Sequence, residues 1–169
     1  MREALAALLL LTGAASAEES LRFFPPEGFS GVHVSDSGEM KLTEYVRDGE
    51  ALDDWSEAVT LAEISGTGLS AVEFVERVKA DKAATCEQSF DLDPEVTENE
   101  GRVSTMSIHA CPNYNVNGRS EVALLRVIEG NDRLYAIQRA WVNSPPREEL
   151  DAWTARLREI ALCDESGCR

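Results

Sequence analysis

The sequence predicts an α+β domain in which helices cover a mostly antiparallel sheet. Three observations favour this class. Strand-like runs of apolar and β-branched residues recur along the chain, two segments space their apolar residues as on one helix face, and the later strand candidates follow one another through short turns. Strands joined by short turns pair antiparallel, whereas alternation with helices would indicate a parallel sheet.

Residues 1–17 are typical of a secretory signal peptide. An unbroken apolar run at 4–11 precedes the small residues Ala15 and Ala17, which match a cleavage site. The run is too short to anchor the chain in a membrane, and the alternative interpretation is a buried N-terminal helix. The predicted mature chain, 18–169, has a length suited to one domain. We expect it in the periplasm or, as the alternative, secreted.

The chain is strongly acidic, with 31 Asp and Glu against 16 Lys and Arg and a net charge of −15. Such a surface repels the phosphates of nucleic acids and anionic lipids, which argues against a nucleic-acid partner. No apolar run in the mature chain is long enough to span a bilayer, so no integral membrane segment is predicted. The remaining partner classes are a protein and a small molecule.

The first half of the mature chain contains three strand candidates. A short strand is predicted at 32–34, a longer one at 40–46, and a buried one at 59–64. Between the last two, residues 52–58 around Trp55 predict a short helix.

Residues 69–83 carry the clearest local pattern, that of an amphipathic helix. Ser70 and Glu73 form a capping box, in which each side chain bonds a backbone amide at the helix start. Leu69 and Phe74 flank the cap as a hydrophobic staple. The apolar residues then recur at helical spacing on one face: Ala71, Phe74, Val75 and Val78.

Two hairpins follow this helix. Strands at 86–92 and 102–111 flank a turn-rich acidic segment. Strands at 121–128 and 133–142 flank a tight turn that contains Gly130 and Asn131.

A second helix is predicted after the last strand. Ser144 is a candidate cap, and Pro145 suits the first helical position because its missing amide hydrogen is not needed there. The predicted buried face of this helix is Leu150, Trp153, Leu157, Ile160 and Ala161.

Four cysteines predict two disulfide bonds, because an even count is typical of exported proteins. Four cysteines allow three pairings. If the first hairpin closes near residue 98, Cys86 faces Cys111 across it. Cys163 and Cys168 lie in a short tail that can fold back. We therefore expect the pairs Cys86–Cys111 and Cys163–Cys168.

No catalytic constellation stands out, so no catalytic residue is predicted. His109 and Cys111 would supply two ligands of a metal site, but the only other histidine is His33, so no metal is predicted. The tail cysteines lack the C-x-x-C spacing of redox motifs, and no G-x-S-x-G motif occurs. The alternative function is a small hydrolase or a thiol-redox enzyme that uses His109 and Cys111.

Residues 66–71 match the dinucleotide pattern G-x-G-x-x-A between a strand and a helix. A dinucleotide domain also needs a parallel crossover strand, whereas the residues that follow predict an antiparallel hairpin. We therefore interpret this segment as a turn into a capped helix and predict no cofactor.

The acidic segment at 91–100 contains Asp91, Asp93, Glu95, Glu98 and Glu100. Pro94 and the missing central glycine break the order of an EF-hand loop. A solvated hairpin tip is the favoured interpretation, and weak calcium binding is the alternative.

Two stretches resemble a group of uncharacterised small exported bacterial proteins. They are 44–50 with Asp54, Trp55 and Thr60, and a later set of Leu124, Leu125, Arg126, Gly130, Asp132, Leu134, Tyr135, Gln138, Arg139 and Ala140. The layout of that group is similar to the PsbP-like α/β/α sandwich, which includes the DcrB-type periplasmic proteins. The resemblance spans residues 40–162 and implies a non-enzymatic accessory or binding protein of unknown ligand, with no catalytic residues to transfer.

Overall fold

The computed structural model describes residues 19–99, 101–114, 118–164 and 167–168. The predicted signal peptide, 1–17, lies outside these residues. Within the described ranges, no helix combines the length and the apolar character needed to cross a membrane.

Two helices and a series of strands make up the described part of the chain. The helices are α1, Ala71–Thr85, and α2, Arg147–Glu159. The strands are β1 Ser20–Arg22, β2 Gly31–Asp36, β3 Met40–Val46, β4 Glu57–Ser65, β5 Phe90–Asp91, β6 Glu95–Asn99, β7 Arg102–Cys111, β8 Glu121–Glu129, β9 Arg133–Trp141, β10 Ala161–Asp164 and β11 Gly167–Cys168. Every pairing among these strands is antiparallel, which confirms the predicted α+β class.

Strand order puts β9 at the centre of the larger sheet, between β4 and β8. The order is β2-β3-β4-β9-β8-β7, and β5 and β6 both pair along the outer edge of β7. A smaller sheet joins the two ends of the described chain, because β1 pairs with β10 and β10 pairs with β11.

The two helices cover opposite faces of the larger sheet. Alternate side chains of a strand point to opposite faces. On one face Leu125 packs in a cluster with Val75 of α1, and on the other Leu124 packs in a cluster with Leu157 of α2. The central strands therefore bury both of their faces.

Both helices begin at residues that their sequences explain. Ser70 caps α1, and the capping box with Glu73 is present as predicted. The helix α2 begins at Arg147, with Pro146 at its N-cap position and no side-chain cap, so the predicted start at Ser144 and Pro145 is wrong. The reason is the second proline, because a residue that precedes proline is disfavoured in helical conformation.

Three other predicted elements differ from the structure. Residues 52–58 form no helix; a turn closes from Asp54 N to Ala51 O at 3.1 Å, and the chain then enters β4 at Glu57. The helix α1 continues to Thr85, so the strand predicted at 86–92 is reduced to β5. Ile160 ends α2, and the following residues form β10 rather than a helical face.

The start of the described chain contacts the tip of the β8–β9 hairpin. The sequence predicted this hairpin but not the contact. The Glu19 carboxylate accepts a hydrogen bond from Asn131 N at 3.0 Å, and the Tyr135 hydroxyl donates to Glu19 O at 2.7 Å. A Cβ atom at Gly130 would lie 2.2 Å from Oε2 of Glu19. Glycine is therefore needed at the turn to admit this carboxylate.

Candidate functional site

A groove runs between α2 and the outer strands of the larger sheet, and we call it the α2 groove. Its apolar half has a volume of about 410 Å³, within the range of small-molecule sites. Its apolar lining is Leu92, Met106, Ile108, Leu124 and Leu150, and its charged lining is Asp93, Glu95, Arg147, Asp151 and Arg158. This combination of apolar walls and a charged rim is typical of a binding site.

Strand periodicity explains the apolar half. The even-numbered residues of β7 point towards α2, and Met106 packs in the same cluster as Trp153 of that helix. Beyond β7 the sheet ends in the short strands β5 and β6, separated by a segment that includes Pro94. Phe90 and Leu92 in this region remain more than half exposed. The groove is therefore open at the edge of the sheet.

The α2 groove continues towards the end of α2 as a smaller cavity of about 140 Å³. The polar residues around this cavity are Thr97, Asn99, Arg102, Ser104, Arg126, Arg158 and Glu159. Three arginines and one carboxylate line this cavity, and two of the arginines, Arg102 and Arg158, pair with Glu19 and Glu95. The groove thus has an apolar half and a half lined by arginines, which we call the cationic half.

Arg158 and Glu95 lie where the two halves meet. Nη2 of Arg158, on α2, is 2.5 Å from Oε2 of Glu95, on β6. Arg158 lines both cavities, and both side chains are about half exposed. Such exposed ion pairs contribute about 0–1 kcal/mol to stability, so this pair can open at little cost to the fold.

Arg126 of β8 is a cation that bonds neutral oxygens. Its Nη1 donates to Ile160 O at 2.9 Å and to Leu157 O, and its Nη2 donates to Ser104 Oγ at 3.3 Å. Burial lowers the pKa of the Arg126 guanidinium. Among the described residues it forms no ion pair, although a buried charge is costly when unpaired.

Arg139 of β9 is also buried under α2, at 1% exposure, but its charge is matched. It pairs with Glu57 and Glu149 and lies 4.7–4.9 Å from the ring centroids of Phe29, Trp141 and Trp153. Burial lowers the pKa of Arg139, and the two carboxylates offset part of this effect. The carboxylates and rings account for its charge within the fold, so we assign Arg139 a structural role under α2.

His109, the histidine of the enzyme alternative, belongs to a hydrogen-bond chain on the α1 face. Its Nε2 lies 2.9 Å from Ser107 Oγ and its Nδ1 lies 2.5 Å from Asp91 Oδ1. Burial lowers the pKa of His109, and the bond to Asp91 offsets part of this effect. The connectivity is that of a serine–histidine–aspartate triad, but Ser107 is only 2% exposed. Sequence analysis missed Ser107, whose i, i+2 spacing from His109 on one strand was the available signal.

The four cysteines form the two pairs that the sequence predicts. The Sγ atoms of Cys86 and Cys111 are 2.04 Å apart, those of Cys163 and Cys168 are 2.03 Å apart, and no cysteine is free. The predicted hairpin register is wrong, however, because β6 and β7 close at Asn99 and Arg102. Cys86 meets Cys111 because it ends α1, not because it faces Cys111 in a strand pair.

A further cavity, of about 450 Å³, lies beside the G-x-G-x-x-A segment and the start of α1. The Ala71 amide donates to the Glu129 carboxylate at 2.7 Å, and the Glu73 amide donates to Ser70 Oγ. A carboxylate of the chain therefore occupies the place where a dinucleotide phosphate would bind. The segment is a turn into a capped helix, as interpreted from the sequence.

The acidic side chains of the 91–100 segment separate in the structure. Asp91 bonds His109 beneath α1, while Glu95 pairs with Arg158 on the opposite face. Within the part of the chain that the structure describes, no three His, Cys, Asp or Glu side chains are arranged to hold a metal ion. Glu100 lies outside the described residues.

No protein-family model matches this chain, and no curated protein sequence matches it. Among solved structures, it is similar to PA94 of Pseudomonas aeruginosa, a protein of unknown function, with 10% identity over 77% of this chain and 96% of that one and a TM-score of 0.46. It is also similar to the Saccharomyces cerevisiae Ran-binding protein Mog1p, with 11% identity over 83% of this chain and 84% of that one and a TM-score of 0.45. At these values neither similarity assigns a function to this chain.

Proposed function

We propose that this chain is an exported, non-enzymatic binding protein of the periplasm, and that the α2 groove is its ligand site. The observation that carries this proposal is the apolar half of the groove, a cavity of about 410 Å³ open at the edge of the sheet. Burial of apolar ligand surface in such a cavity supplies binding free energy without any catalytic group. The two disulfide pairs are compatible with an oxidising compartment.

We also propose that the domain is a PsbP-like α/β/α sandwich of the DcrB type. Support comes from α1 and α2, which pack on opposite faces of one antiparallel sheet. It comes as well from the resemblance at residues 44–50 and in the β8–β9 hairpin. Accessory and binding roles prevail in that group.

A neutral, environment-sensitive dye tests the binding function. Nile red should bind the native chain with a one-to-one stoichiometry and fluoresce more strongly, because the groove would shield it from water. Leu92→Ser should weaken this binding, since Leu92 lines the apolar half and is 60% exposed, so that its loss leaves the core intact.

Val34→Ser is the matched control for this experiment. Val34 is 56% exposed on β2, at the opposite edge of the sheet, and its replacement should leave dye binding unchanged. Melting curves of both variants should superimpose on that of the unmodified chain. No binding by the native chain, or an equal loss in both variants, would contradict the assignment of the groove.

The hydrolase alternative is favoured by one observation, the hydrogen-bond chain from Ser107 through His109 to Asp91. A fluorophosphonate reagent tests it, because this reagent labels serines that an adjacent base activates. Covalent labelling that disappears in Ser107→Ala would support a hydrolase. Under the binding proposal the folded chain stays unlabelled, since Ser107 is only 2% exposed.

A further inference from the structure

We infer that the ligand of the α2 groove is a single-chain amphiphile with an anionic head group, and that Arg126 receives the head group. This inference rests on the proposed function, because it uses the apolar half of the same groove for the hydrocarbon chain. It adds the chemical class of the ligand and the direction in which the ligand lies.

The bonding of Arg126 carries the first step. Guanidinium has five N–H donors. Both Nη1 hydrogens meet the carbonyls of Leu157 and Ile160, while Nε and Nη2 share one acceptor, Ser104 Oγ, at 3.4 and 3.3 Å. No described residue accepts a bond from the second Nη2 hydrogen, so an acceptor from outside the chain can bond it. A carboxylate or phosphate oxygen would supply both that acceptor and the counter-charge.

Unlike Arg126, the neighbouring arginines each pair with a carboxylate. Arg102 pairs with Glu19 at 2.5 Å, and Arg158 pairs with Glu95. The chain has almost twice as many acidic as basic side chains, 31 against 16, and yet Arg126 forms an ion pair with none that the structure describes. A cation that lines a cavity and pairs with no carboxylate that the structure describes is a candidate site for an anionic group.

Continuity of the groove carries the second step. Ser104 lines the cationic half and Met106, two residues further along the same face of β7, lines the apolar half. A ligand that lies along β7 would therefore place a charged end at Arg126 and a chain between Met106 and α2. Arg158, which lines both halves, can turn from Glu95 to the head group as a second cation.

Ligands of equal chain length and different charge test the inference on the unmodified protein. Decanoate, decyl phosphate, decanol and decyltrimethylammonium are titrated against bound Nile red. We expect the anions to bind about tenfold or more tightly than decanol, as charge-assisted hydrogen bonds imply. The net charge of −15 by itself would favour the ammonium, so a preference for anions must arise locally. The relative affinities of decanoate and decyl phosphate identify the head group.

Two arginine variants locate the head group. In Arg126→Gln the preference for decanoate over decanol should fall to within about twofold, while decanol binds as before. Arg77→Gln is the control, because Arg77 is exposed on α1, which covers the opposite face of the sheet from the groove. If Arg126→Gln fails to fold, the comparison of the four ligands on the unmodified chain still decides whether the groove prefers anions. In that case Arg158→Gln serves as the second variant, and it should reduce the preference for decanoate over decanol in part.

The outcomes separate the two proposals. If decanol displaces Nile red as well as decanoate does, the anionic class is wrong and the groove remains an apolar binding site. If the preference for decanoate persists in full in Arg126→Gln, the position of the head group is wrong. If neither Nile red nor any of the four ligands binds, the proposed function falls and this inference falls with it.

Discussion

Nδ1 of His109 lies 2.5 Å from Oδ1 of Asp91, and this hydrogen bond joins β5 to β7 beneath α1. The imidazole is 3% exposed and is also bonded to Ser107. Burial disfavours the charged imidazolium, so the native chain holds this ring neutral near pH 7. Unfolding returns the ring to water, where its pKa is about 6.5.

The chain should therefore lose stability as the pH falls below about 6.5. The pKa of His109 is lower in the folded state than in the unfolded state, so the unfolded state binds the extra proton. The stabilisation is complete above the unfolded pKa and is lost as the pH falls towards the folded pKa, by at most about 1.4 kcal/mol per pH unit from this residue. Urea unfolding between pH about 5 and about 8 measures the slope.

Histidine variants identify the residue responsible. His109→Asn should lower stability at every pH and flatten the slope below pH about 6.5. His33→Asn should keep the slope of the unmodified chain, since His33 is exposed on β2 and is the only other histidine. A slope that persists in His109→Asn would show that His109 is not the group that titrates.

Arg139→Met should lower the free energy of unfolding by about 3–5 kcal/mol, the cost of removing one partner of a buried ion pair. The change leaves Glu57 and Glu149 without the guanidinium that pairs with both and removes that group from between Trp141 and Trp153. Urea unfolding followed by tryptophan fluorescence measures it. Arg147→Met is the control and should change stability by less than about 1 kcal/mol, because its ion pair with Asp151 is exposed.

The two disulfide bonds should differ in their effect on stability. Cys86→Ala with Cys111→Ala opens a loop with a separation of 25 residues between two buried side chains and should cost about 3.5 kcal/mol. Cys163→Ala with Cys168→Ala opens a loop with a separation of 5 residues at the end of the smaller sheet and should cost about 2 kcal/mol or less. Thermal melting of both variants compares them.

Peptide mapping under non-reducing conditions tests the connectivity itself. The expected linked peptides contain Cys86 with Cys111 and Cys163 with Cys168. A peptide that joins Cys86 to either tail cysteine would contradict the contact between the end of α1 and the end of β7.

Gly130→Ala should destabilise the chain by about 1–3 kcal/mol, as overpacking does. The new Cβ would lie 2.2 Å from Oε2 of Glu19, 2.6 Å from the Tyr135 ring and 2.9 Å from Arg133 O. The Glu19 carboxylate would have to leave the turn, so β1 should become more sensitive to proteolysis. Gly130→Ala with unchanged melting and unchanged proteolysis would show that this contact does not hold the start of the chain.

Local patterns in the sequence determined the regular elements of this protein. Strand-like runs of apolar and β-branched residues predicted β3 at 40–46 and β7 at 102–111 with the bounds that the structure has. The capping box predicted the start of α1, because its hydrogen bonds join residues only three positions apart. The exceptions are the missing helix at 52–58, the start of α2 after the second proline, the end of α2 at Ile160, and the continuation of α1 to Thr85.

Only the tertiary structure decided which groups face one another. Arg139 meets Glu57 across 82 residues because β9 lies between β4 and β8, an order that no local pattern encodes. The same order places Arg126 at the end of α2, with carbonyls as its neighbours instead of carboxylates. Periodicity reveals which face of an element is apolar, whereas the partner of each charge depends on long-range packing. The α2 groove, and Arg126 with no carboxylate partner among the described residues, are therefore features of the folded chain alone.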